Sequence, residues 1–172
     1  LAEKPDYALR YIHESLAPFG FGDRWCYVDF ENRHHGIETE RWESICRSAD
    51  LFLVLSGGCW VWRDHYREIP VKAFIDSDPG FTQIALDKAS HNQTDDPSAR
   101  FYFEFFQNYD HLFTFGSNIG KPTCEIPTAG FAWKPTWQPI DTDLWRPQEE
   151  SLPARQVWTT VMTWRIESFT DV

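Results

Sequence analysis

Three times along the chain a short apolar run stops abruptly in a loop of small and polar residues, and this repeated grammar constrains the fold more than any other feature. Leu51 to Leu55 ends at Ser56-Gly57-Gly58, Val71 to Ile75 ends at Asp76-Ser77-Asp78-Pro79-Gly80, and His111 to Phe115 ends at Gly116-Ser117-Asn118-Ile119-Gly120. A run that is apolar on both faces suits a buried parallel strand. Helical patterns separate such runs. Asp6 can cap a first helix with Leu9, Ile12 and Leu16 on one face, and Thr39 can cap a second with Trp42, Ile45, Cys46 and Ala49 in helical register. Pro97 can open a third after Asp96, running through Phe101, Phe105, Phe106 and Tyr109. The alternation predicts an α/β fold: a Rossmann-like parallel sheet flanked by helices, with right-handed crossovers.

Other segments read less regularly. Trp25 to Phe30 is expected to be a short strand, followed by a polar turn holding solvated His34 and His35. Trp62 to Glu68 reads as a surface helix, and Ser90 to Ser98 as an exposed loop. Pro122 to Pro153 is rich in Pro and Trp and is expected to be extended segments and turns.

Composition narrows the function. Apolar residues make up 42% and charged residues 24%, so the chain belongs with folded proteins. Its net charge of −10 argues against a nucleic-acid partner and against an anionic membrane surface. No apolar run approaches the ~20 residues that span a bilayer. The cysteines Cys26, Cys46, Cys59 and Cys124 match no zinc spacing and read as reduced core thiols, which suits the cytoplasm. No dinucleotide-binding, P-loop or nucleophile-elbow motif is present.

In an open parallel sheet, ligands bind beyond the carboxyl ends of the strands. Parallel strands would bring the three loops to one edge, where Ser56, Gly57, Gly58, Gly116, Ser117, Asn118 and Gly120 are candidate substrate-binding residues. Asp76 and Asp78 are the candidate catalytic carboxylates. Expected to point the same way at a strand end, they could accept a proton from a sugar hydroxyl, share a divalent cation, or simply serve turn chemistry.

The segments "CRSADLFLVLSGGCWVWRDHYREIPVKAFIDSDPGFTQ" and "HLFTFGSNIGKPTCEIPTAGFAWKPTWQPIDTDLW" resemble the acceptor-side domain of a group of bacterial two-domain glycosyltransferases of the GT-B-like type. "VWTTVMTW" resembles the first strand of their second domain. The resemblance implies a fragment: residues 1–147 as a partial N-terminal acceptor-side domain, 148–154 as a linker, and 155–172 as the opening of a donor-binding domain. A first strand-helix unit and most of the second domain would then lie outside the chain, which begins at Leu1. It further implies sugar transfer from a nucleotide-sugar donor to a hydroxyl acceptor, without a metal or other cofactor, and a fragment inactive alone. The alternative is a non-catalytic α/β domain that binds a glycan or a protein through its aromatic surface. Clustering of Trp60, Trp62 and Trp133 on a flat face away from the strand ends would favour that reading.

Overall fold

The computed structural model describes residues 6–29, 31–57, 59, 61–91 and 97–145. The chain divides into two units, Leu1–Gln138 and Pro139–Val172. In the second, the described residues 139–145 form a turn in which Asp141 Oδ1 accepts the Asp143 and Leu144 backbone N–H groups. The expected linker at 148–154 and the expected strand from 155 lie outside the described residues, as do Gly58 and Trp60.

The first unit is built on four parallel strands in sequential order: β3 (Leu51–Leu55), β4 (Val71–Asp76), β5 (His111–Thr114) and β6 (Trp133–Pro135). This is the expected α/β, Rossmann-like arrangement. Before it in the chain come α1 (Asp6–Leu16), α2 (Thr39–Ser48) and a separate antiparallel ribbon of β1 (Cys26–Val28) and β2 (His34–Gly36). The short helix α3 (Asp64–Arg67) joins β3 to β4, and α4 (Phe81–Ser90) and α5 (Pro97–Phe106) join β4 to β5.

Register explains where the core lies. Val54, Phe74, Leu112 and Trp133 are successive partners across the four strands, so they form one row on one face. All four are at most 9% exposed. Leu86 of α4 and Phe105 and Phe106 of α5 close over that row, with the Phe106 ring 4.8 Å from Phe74 and 6.1 Å from Trp133. A sheet whose order follows the sequence sends every right-handed crossover to the same side. The opposite face is therefore more open: Leu51, Leu53 and Leu55 are 51%, 50% and 58% exposed. The continuous apolar run of β3 predicted burial on both faces, and here the prediction fails. Among the described residues, β3 is an edge strand with one covered face.

Other departures have local causes. His34 and His35 are not a solvated turn but half-buried strand residues, because Asp29 and Trp42 engage them. α4 occupies a segment whose weak amphipathicity gave no sequence signal. Within the Pro-rich region, Trp133 pairs with Leu112 and turns an expected irregular segment into β6.

Candidate functional site

The site grows from the ends of β3, β4 and β5, which run in the same direction and stop on one rim. The face that carries Phe74 and Leu112 carries Asp76 and Thr114 two residues later, so its last row is polar where the strands end. Asp76 is only 2% exposed and its carboxylate is fully engaged. Oδ1 accepts the Thr82 hydroxyl at 2.8 Å and the Asp78 backbone N–H at 3.2 Å. Oδ2 accepts the Gln83 side-chain amide at 2.9 Å and the Thr114 hydroxyl at 3.0 Å. A buried anion without such donors would be costly.

These bonds fix the surrounding loops. Gln83, itself fully buried, also accepts the Gly80 N–H through Oε1 at 2.7 Å, which ties the start of α4 to the end of β4. Thr114 passes the connection on, since its Oγ1 accepts the Gly116 N–H at 3.1 Å. Gly116 has no room for a side chain: an added Cβ would lie 2.5 Å from Ile119 Cδ1 and 2.9 Å from Pro79 Cβ. The third loop therefore lies directly against the second.

The first loop joins them from the other side. The Ser56 N–H donates to the Ile75 carbonyl at 2.9 Å, and the Ser56 and Ser77 hydroxyls are hydrogen-bonded to each other. Ser56 and Gly57 both take positive φ, +52° and +69°. For serine this is an uncommon backbone conformation, of the kind that collects at functional turns.

The structure thus brings together Ser56, Gly57, Asp76, Asp78 and Gly116, with Ser117, Asn118 and Gly120 in the turn that follows Gly116. Two expectations change. Asp76 and Asp78 do not form a same-facing pair: β4 ends at Asp76, so strand alternation stops there, and Asp76 is buried while Asp78 is exposed. The Asp76 carboxylate is taken up by hydrogen bonds within the fold, whereas Asp78 is exposed on the rim. Thr82 and the buried Gln83 and Thr114 complete the hub, and none of them is among the residues the sequence singles out. A polar residue at the core-facing register of β5, two places after Leu112, was the available signal.

Among the described residues, no group of three or more His, Cys, Asp and Glu side chains is arranged to hold a metal ion. Also among them, no helix is long and apolar enough to cross a membrane. None of the cysteines is in a disulfide, and burial pushes the Cys26, Cys46 and Cys59 thiols up, away from the nucleophilic thiolate. Trp133 lies in the core, and Trp62 packs against Phe52, Phe105 and Tyr109, so these two do not form a flat exposed face.

Comparisons with protein-family models, with curated proteins and with solved structures find no match.

Proposed function

We propose that this chain forms the acceptor-side wall of a glycosyltransferase that moves a sugar from a nucleotide-sugar donor to a hydroxyl acceptor. The observation that carries the reading is the shared rim: three parallel strands deliver their loops to one edge, and a buried carboxylate hub holds an exposed one, Asp78, among them. The resemblance of the chain to GT-B-like transferases supplies the reaction class.

In the proposed reaction the acceptor hydroxyl oxygen attacks the anomeric carbon. The new carbon–oxygen bond forms as the bond to the diphosphate breaks, and its electron pair leaves with the diphosphate. The hydroxyl proton passes to the Asp78 carboxylate, a general base of the type that contributes about 10²–10⁴-fold. The Ser56 and Ser77 hydroxyls and the backbone of Gly57, Gly116 and Ser117 would orient the acceptor sugar, since positioning is the larger part of such catalysis. Donor binding falls to a further part of the protein. Four cysteines free of disulfides suit a reducing compartment, and we place the protein in the cytoplasm on that ground.

The test is the release of nucleoside diphosphate from a panel of nucleotide sugars by the longest protein that carries this segment. Activity that falls at least about 100-fold in Asp78→Asn, with the fold intact, supports the reading. Full activity in Asp78→Asn removes the assigned base. No turnover with any donor and acceptor pair removes sugar transfer.

A further inference from the structure

An open groove of about 560 Å³ lies between the α3 region and α5, apart from the strand-end loops. Aromatic rings line it, with Trp62 5.4 Å from the buried Phe105 and Phe105 6.1 Å from Phe101. Phe101 is 51% exposed, so a large part of its ring surface meets solvent rather than protein. One wall is polar, with Arg67, Asn108 and Glu104. Asn108 is held rigidly, because its side-chain N–H groups donate to the Glu104 and Phe105 carbonyls at 2.9 and 3.2 Å. Its Oδ1 accepts Arg67 Nη1 at 3.3 Å, which ties Arg67 to α5 beside the groove. The Glu104 carboxylate is 68% exposed and 3.8 Å from Arg100.

We propose that this groove is a second binding site, for a neutral saccharide unit of an oligosaccharide. A sugar ring has one apolar face of C–H groups and a rim of hydroxyls that both donate and accept. The groove offers the complement of each: the exposed Phe101 ring for the face, and guanidinium donors and carboxylate acceptors for the rim. The opposed charges of Arg67 and Glu104 favour a ligand with no net charge, and the −10 charge of the chain disfavours an anionic one. The volume falls within the range of small-molecule sites, and the open side leaves room for a longer chain to continue. The site does not depend on sugar transfer at the strand-end rim. It binds whether or not Asp78 acts as a base.

Calorimetric titration of the wild-type protein with neutral tetrasaccharides (α- and β-linked glucose, and N-acetylglucosamine) and with an acidic galacturonate tetramer tests this. Binding of at least one neutral tetramer, and weaker binding of the acidic one, is expected. Phe101→Ala should weaken it about tenfold, the upper range for losing an aromatic face. Phe101→Trp should retain it. Circular dichroism on each variant separates lost binding from lost fold. Absence of neutral saccharide binding, affinity indifferent to Phe101→Ala in a folded variant, or groove occupancy by a proline-rich peptide in place of any saccharide would each overturn the proposal.

Discussion

Across the two central strands, the Thr114 hydroxyl donates to Asp76 Oδ2 over 3.0 Å, at the register pair where β4 and β5 stop running side by side. This bond links the last buried row of the sheet to the loops of the rim. Thr114 is 1% exposed and Asp76 2%, so neither can turn to water if its partner is lost.

Asp76→Asn is therefore expected to destabilise the fold by about 2–3 kcal/mol, because a new amide donor meets groups that already donate. Thr114→Val removes one donor and also the acceptor of the Gly116 N–H, and is expected to cost about 1–2 kcal/mol. Asp78→Asn, on the exposed side of the same loop, should stay within about 0.5 kcal/mol of wild type. Urea denaturation of the variants measures all three, and an Asp76→Asn protein as stable as wild type would contradict the hub.

Gly116→Ala is expected to cost about 1–3 kcal/mol, since its Cβ would press into Ile119 and Pro79 and part the second and third loops. Gly130→Ala is the control. It carries a φ of +79° but nothing lies within 4 Å, so its cost is the backbone strain alone, about 1 kcal/mol. Thermal unfolding that ranks Gly130→Ala as the costlier change would show that the loops are not in contact.

The Tyr109 hydroxyl is buried with no hydrogen-bond partner among the described residues, and burial pushes its ionisation far up. Tyr109→Phe removes an unsatisfied polar group while keeping the ring against Phe74 and Trp62. It should leave stability unchanged or raise it by about 1 kcal/mol. Chemical denaturation decides, and a loss above 1 kcal/mol would mean the hydroxyl has a partner.

Asp29 closes the turn between β1 and β2, accepting His35 Nε2 at 3.0 Å and the Arg33 side chain at 2.8 Å. The His35 hydrogen bond, with Arg33 adding to it, holds this carboxyl well below the usual range. A folded-state pKa below the unfolded one gives stability that is present above the unfolded value of about 3.9 and lost as pH falls through the folded one. Stability of the wild type should thus decline as pH drops below about 4, and Asp29→Asn should flatten that slope. NMR titration of the Asp29 carboxyl with an ordinary midpoint would contradict it.

The parallel sheet was legible because Leu51 to Leu55, Val71 to Ile75 and His111 to Phe115 each pair a strand-length apolar run with a sharp polar stop. The edge position of β3 was not. An apolar run reads the same whether its second face is covered or open, and only the order β3-β4-β5-β6 decides. At the rim, glycine and serine marked the turns that end the strands, but the burial of Asp76 and the exposure of Asp78 were not legible. Their difference arises from partners six, seven and 38 residues away, which no local pattern encodes. β6 was hidden for the same reason, since Trp133 becomes a strand residue only by pairing with Leu112.

The proposed transfer requires an acceptor sugar on the rim formed by the ends of β3, β4 and β5. Backbone amide NMR during titration with a panel of methyl and nitrophenyl glycosides tests it most directly. Shifts are expected to concentrate at Ser56, Gly57, Ser77, Asp78, Gly116 and Ser117, and to weaken in Asp78→Asn. Shifts confined to the Phe101 groove, or to residues on the opposite ends of the strands, would contradict it.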